Sequence, residues 1–288
     1  MAVPSTPTVT SIVTQALKRA GRTTPTATQI TEATDHALQE VKADIMLKAA
    51  THPLLLTTAT TVLTYGQQRY GTPADYNLPY TMTLLLGPAE WSGTAQGASP
   101  SAIILAANFT SDAPSIIGRY LLITGGQGVE EYHQILAWDN TTKLATIEGV
   151  WGVTPISGST YLIINDHLQL FPSDVSTSFD RIRNNTALGC PQIAATYAQE
   201  ILLYPVPDNT PYGLLNRYYV DLSSLDETGA LFVQLLREWR SLFIQGIAVK
   251  TMQRFDEDRY QLELSIYENF LGVLSTQTCQ VTQVGYRD

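Results

Sequence analysis

Apolar residues recur at helical spacing at both ends of this chain and lose that spacing through the long middle. A period of 3.6 marks a helix packed on one side, and a period of 2 marks a half-buried strand. Near the N-terminus Ile12, Val13, Ala16, Leu17 and Ala20 form one stripe, with Gly21 as a stop and Thr10 or Ser11 as the cap. A second stripe follows Pro25, capped by Thr26 or Thr28: Ile30, Ala33, Ala37, Leu38, Val41, Ile45 and Met46. Joined by a short Gly/Pro/Thr linker, the two read as an αα-hairpin. Toward the C-terminus Phe232, Leu236, Trp239, Phe243 and Ile247 repeat at helical spacing through Gly246. A last helix follows Asp256-Glu257-Asp258, acids that suit the positive end of a helix dipole. It carries Tyr260, Leu264, Tyr267, Leu271 and Leu274 on one face and Leu262, Ile266 and Phe270 on another. A helix apolar on two faces is buried on both, one face serving its own hairpin and the other a neighbouring copy.

From Leu54 the texture turns rich in Thr, Val, Leu, Tyr, Gly and Pro. Thr57 to Tyr65 and Tyr80 to Leu86 read as strands on either side of the turn Gly71 to Tyr76. Five further strand candidates follow at short intervals: Ala102 to Ala106, Tyr120 to Thr124, Glu131 to Trp138, Lys143 to Gly149 and Thr160 to Ile164. The links Gly125-Gly126-Gln127-Gly128 and Asp139-Asn140-Thr141-Thr142 have turn chemistry. Ile201 to Tyr204 and Leu214 to Val220 read as paired strands around Pro205 and Pro207. The expected fold is α+β, a helical bundle from N- and C-terminal helical hairpins with an inserted all-β module. Residues 1–86 and 168–288 form the helical domain with short strands, and 87–167 form a barrel- or sandwich-like insert. The segment Ser275 to Asp288 has Val281, Val284 and Tyr286 as its only large apolar groups. Too few to offset the ordering cost of about 1–2 kcal/mol per residue, they predict an extended tail ordered by a partner.

Charged residues make up only 15% of the 288 positions, against roughly 25% in ordinary soluble domains. With 15 tyrosines, this points to a surface covered by neighbouring subunits. The net charge of −9 argues against gripping nucleic acid, which needs Lys and Arg to displace counterions. Charge is unevenly divided, with 229–255 basic and both 256–288 and 87–167 acidic, a division that suits head-to-tail contacts between copies. No secretory leader precedes residue 10, and no apolar run is long enough for a membrane span. Cys190 and Cys279 stand alone and predict free thiols. His36, His52, His133 and His167 are scattered, Gly125 to Gly128 lacks the lysine of a phosphate loop, and no nucleophile elbow occurs. Asp166-His167 lacks a fixed serine partner. No catalytic residue, metal or cofactor is expected.

The stretch Gly189-Cys190-Pro191, then Glu200 to Tyr204 ending in Pro205-Val206-Pro207-Asp208, then Arg217-Tyr218-Tyr219-Val220-Asp221-Leu222 resembles the head-to-tail adaptor proteins of tailed phages, podophage type. Thr72-Pro73-Ala74-Asp75-Tyr76 is similar to that family's Pro-Ala-Asp-Tyr turn. Gly118 to Gly126, Tyr132 to Ile135, Asp139 to Thr146 and Gly158 to Tyr161 resemble an insert that recurs in phage virion proteins. The resemblance implies a virion protein made in the host cytoplasm, forming a homo-oligomeric ring of about twelve copies beneath the portal. Its partners would be the portal and tail tube, nozzle or fibre proteins, with DNA passing through the lumen unbound. The expected interface residues are Tyr260, Leu264, Tyr267, Leu271, Val281, Val284 and Tyr286. The alternative is a tail component whose β module binds a host surface glycan, for which Trp91, Trp138 and Trp151 would supply the aromatic platform.

Overall fold

The structure is a computed structural model, and it describes residues 7–109, 116–172, 186–197, 199–255 and 259–284. The chain is mixed α/β with several sheets. It divides into two compact units, one of Met1–Thr57, Ala74–Leu78 and Tyr219–Asp288, the other of Thr58–Pro73 and Pro79–Tyr218.

The first unit is mainly helical. α1 spans Val9–Arg19 and is capped by Thr8, whose side chain accepts from the Ser11 N–H while the Ser11 hydroxyl accepts from the Thr8 N–H. Ser11, expected as the cap itself, is instead the second half of a capping box. Ile12, Val13, Ala16 and Leu17 are buried, as their spacing requires. Thr26 caps α2, Ala27–Glu32, in the same way. A π turn over Ala33–Leu38 leads into α3, Gln39–Ala49. That wider turn keeps Ala33, Ala37 and Leu38 on the buried side, in line with Val41 and Ile45.

The C-terminal stripe is two helices, α4 at Ala230–Glu238 and α5 at Arg240–Phe255. Trp239 leaves helical geometry between them (φ −104°, ψ 25°). Its ring packs edge-on to the His52 imidazole at 5.0 Å between centroids. α6 runs from Tyr260 to Val284. Residues 275–284 are therefore helical and not extended. Helix propagation needs only one hydrogen bond per added residue once a nucleus is held, and neither Gly nor Pro interrupts the chain between Val273 and Val284. α1 and α3 pack on α5, and α3 and α5 on α6. The Asp256 to Asp258 cluster lies outside the described residues.

The second unit is β-rich. Its largest sheet has seven strands in the order β4-β10-β7-β8-β9-β6-β5. These are β4 at Ser92–Thr94, β5 at Gly97–Ser99, β6 at Ala102–Ile104, β7 at Tyr120–Gly125, β8 at Tyr132–Asp139, β9 at Leu144–Ile147 and β10 at Thr160–Ile164. All five expected strands of residues 87–167 are among them. Laid flat, the sheet's edges would lie about 29 Å apart at ~4.8 Å per strand. Yet β4 and β5 are joined by Ala95 and Gln96 alone, so the sheet curls until its edges meet. The Ala95 N–H donates to the Ser159 carbonyl beside β10 (2.8 Å), and the Gln96 N–H donates to Ile104 of β6 (2.9 Å). Inside the curl Ile103, Leu121, Ile123, Ile135, Tyr161 and Ile163 form a closed core with Trp138 and Trp151. Leu122, Leu162 and Ile164 point the other way and pack with Leu85 and Leu215. Burial on both faces is why Tyr120 to Ile123 and Tyr161 to Ile164 read as unbroken apolar runs.

The turns are built as expected. The Asp139 carboxylate accepts from the Thr141 N–H (2.8 Å) and the Thr142 hydroxyl (2.7 Å). Gly126 and Gly128 take positive φ.

A four-stranded sheet has the order β1-β17-β3-β11, where β1 is Leu56–Val62, β3 Tyr76–Leu86, β11 Asp166–Gln169 and β17 Tyr212–Val220. Another has the order β12-β14-β15-β2, with β2 at Arg69–Gly71, β12 at Phe171–Pro172, β14 at Ile193–Tyr197 and β15 at Glu200–Tyr204. β13 at Leu188–Gly189 pairs with β16 at Val206–Pro207. The expected pairing of Ile201 to Tyr204 with Leu214 to Val220 does not form. β14 and β2 already occupy both edges of β15, and Pro205 and Pro207 lack the N–H groups a hairpin ladder would use. Tyr218 and Tyr219, adjacent on β17 and so on opposite faces of its sheet, are both buried.

Candidate interaction face

α6 carries the residues that the sequence singles out for an interface, and its neighbours decide which of them stay free. Tyr267, Leu271 and Leu274 point inward and are buried. The Tyr267 hydroxyl donates to Asp44 Oδ2 of α3 at 3.0 Å. Burial, reinforced by that carboxylate, pushes the phenol far above its ordinary range. Lys250 Nζ of α5 meets the same Asp44 oxygen at 2.9 Å, so one carboxylate ties three helices. One turn earlier, Glu263 is also buried. Burial raises its carboxyl, but hydrogen bonds from Gln245 (2.7 Å) and Arg19 (3.0 Å) outweigh this and hold it below the usual range.

Tyr260 and Leu264 are half-buried. Val281 and Val284 fall in the last turns of α6, and Tyr286 lies outside the described residues. Tyr267 and Leu271 were expected to face a partner, and the chain's own helices cover them instead. The open apolar face is the second one: Leu262 is 65% exposed, Val273 55% and Phe270 37%. Helical spacing legibly places Leu262 and Phe270 there, and the same row continues to Val273.

Two grooves flank the helix. One, of about 500 Å³, is lined by Leu47, Lys48, Leu264, Glu268, Leu271 and Gly272, with the Asp44–Lys250 pair at its side. Leu47 is 81% exposed at its rim. The other, of about 350 Å³, is lined by His52, Glu238, Trp239, Leu242, Phe270 and Val273. His52 is buried there. Its Nδ1 accepts from the Leu54 N–H (3.2 Å), which leaves Nε2 to donate to Gln277 Oε1 (3.3 Å). Burial lowers its pKa, against a smaller upward pull from Gln277.

The other candidates from the sequence are placed elsewhere. The Asp166 carboxylate accepts from the His167 backbone N–H (2.8 Å), while the His167 ring nitrogen meets the Tyr132 hydroxyl (2.9 Å), so no Asp–His relay forms. Trp138 and Trp151 fill the core of the curled sheet, and Trp91 packs half-buried against it. Two of the three tryptophans are thus buried. Cys190 is unpaired, and His36 is exposed. Among the described residues no group of His, Cys, Asp and Glu has the geometry to hold a metal, and no helix is long and apolar enough to cross a membrane. No protein-family model matches the chain, and no curated protein matches it.

Proposed function

We propose that this chain is a structural subunit of a tailed-phage virion, a head-to-tail adaptor acting in a ring beneath the portal. The observation that carries the reading is the open face of α6. A soluble helix that leaves Leu262, Phe270 and Val273 in water beside two grooves is dressed for a protein partner. The packing of α1 and α3 on α5 and α6 supports the same reading, because it joins the two ends of the chain into the helical part that such a ring requires. In this reading residues 87–167 are the inserted β module, projecting outward or toward the tail. The portal, the tail tube, nozzle or fibre proteins and further copies of the chain are its partners.

Cross-linking mass spectrometry on purified virions tests this. The expected result is cross-links from α6 lysine- and acid-bearing neighbours to the portal and to other copies of the chain. Particles that lack the chain, or that hold it only inside the capsid, overturn the proposal.

A further inference from the structure

We propose that residues 148–153 are a pH-gated strap over the core of the curled sheet, latched by a doubly protonated His133 and released when that ring loses a proton. His133 Nδ1 lies 3.1 Å from the Glu148 carbonyl, and its Nε2 lies 2.9 Å from Glu131 Oε2. A carbonyl and a carboxylate only accept, so both ring nitrogens must donate, and a neutral imidazole has one N–H to give. Glu131 is the anion of the pair. Its Oε1 accepts from the Val153 N–H (2.8 Å), and its Oε2 also accepts from the Gly152 N–H (3.3 Å). Burial raises its carboxyl, but the hydrogen bonds from His133, Val153 and Gly152 outweigh this and hold it below the usual range. One imidazolium and one carboxylate thus fasten both ends of the strap to β8.

Between those ends the Trp151 ring enters the core and meets the His133 ring edge-on, 4.8 Å between centroids. The Trp151 backbone N–H donates to the Pro100 carbonyl at 3.0 Å. The strap lies close on its seat. A Cβ on Gly152 would meet Glu131 Oε1 at 2.7 Å, and one on Gly128 would meet the Val153 carbonyl at 2.7 Å. The His133 and Glu131 side chains are only 19% and 20% exposed, so water replaces a lost partner poorly. The charged residues flanking the ring are Glu130 and Glu131 before it and Glu148 on the strap. Arg119, at the start of β7, sends its guanidinium to the Asn165 carbonyl (2.9 Å). Tyr132 directs its hydroxyl to His167 (2.9 Å). β7 sets Leu121 opposite His133, and β1 and β17 bring Thr58, Ala59, Thr60 and Leu215 to the groove that His133 lines, none of which titrates in water. Loss of the ring proton leaves either the Glu131 carboxylate or the Glu148 carbonyl without its donor. The strap is therefore closed where the ring holds both protons and Glu131 holds none. It opens as pH rises through loss of the ring proton, and on the acid side as Glu131 takes one up.

Hydrogen–deuterium exchange of the full chain from about pH 5 to about pH 9, corrected for the intrinsic exchange rate at each pH, tests this. The expected wild-type result is a single step in which protection of 148–153 falls at least about tenfold as pH rises, the loss of one charge-assisted hydrogen bond. Protection of β7 and β10 stays constant through the step. His133→Gln, which cannot become a cation, holds the strap at low protection at every pH, with an unchanged circular dichroism spectrum. Glu131→Gln keeps the side-chain length, loses the charge and removes the step. A wild-type strap whose protection is flat with pH overturns the proposal, as does a wild-type step that survives in either variant. Should a variant not fold, the wild-type profile still decides: protection lost from β7 and β10 together with the strap reports global unfolding and overturns the latch. The latch does not depend on the adaptor role, and its failure leaves that role untouched.

Discussion

Gly246 lies in α5 and Gly272 in α6, and their surroundings separate them. A Cβ on Gly246 would meet Tyr267 and Val41 side-chain carbons at 2.7 Å, because α3, α5 and α6 converge there. Gly246→Ala gains about 1 kcal/mol of helix propensity but overpacks a rigid contact at about 1–3 kcal/mol. Urea denaturation should show net destabilisation by up to about 2 kcal/mol. Gly272→Ala meets nothing and should stabilise by about 0.5–1 kcal/mol. The reverse order for the two substitutions would disprove the close approach. His52 gives a pH dependence at the same scale. Its folded pKa lies below the ordinary 6.5. Above that pH both folded and unfolded chains hold it neutral. Below it the unfolded chain takes up a proton that the folded chain resists, so stability falls as pH drops through 6.5 toward the folded value. The melting temperature of His52→Gln should lose this component between pH 8 and pH 5.5, and an unchanged pH profile would count against it.

Among the elements, α3 is fixed by a charge that its sequence does not advertise. Lys42 is buried beside Val41. Its Nζ donates to Glu227 at 2.8 Å and lies 4.6 Å from the centre of the Phe232 ring. Gln39 donates to the same Glu227 oxygen at 3.0 Å. Removing one partner of such a pair strands the other, whereas an apolar replacement of similar shape does not. Glu227→Ala should therefore cost about 3 kcal/mol, less whatever its partial exposure returns. Lys42→Met should cost under about 1.5 kcal/mol. Chemical denaturation of both variants checks the order, and equal losses would show that the ion pair does not anchor α3.

At the scale of the molecule, the curled sheet closes a core whose buried members, among the described residues, run from Ala95 to Ile163. Residues 87–167, expressed alone, should fold cooperatively and give a dispersed amide NMR spectrum. Leu122, Leu162 and Ile164 would be uncovered in that fragment, since Leu85 and Leu215 pack on them in the whole chain, and Leu122→Thr should improve its solubility. A random-coil spectrum would show that the strands outside 87–167 are needed to close the core.

The sequence by itself determined the kinds of element and the two textures. Apolar spacing located α1, α2 with α3, and the five main strands of 87–167, because periodicity records which side of an element is covered. Turn chemistry at Asp139 to Thr142 did the same for the β8–β9 hairpin. Spacing also showed that α6 is apolar on two faces. Tertiary structure alone decided which face belongs to the chain: α3 and α5 take Tyr267 and Leu271, and Leu262, Phe270 and Val273 remain open. It also decided that β15 pairs with β14 and β2 rather than with β17, and that Trp138 and Trp151 lie inside a core. Periodicity is a property of neighbours along the chain. Burial by a distant helix, and pairing between strands far apart in sequence, depend on which surfaces meet once the chain has folded.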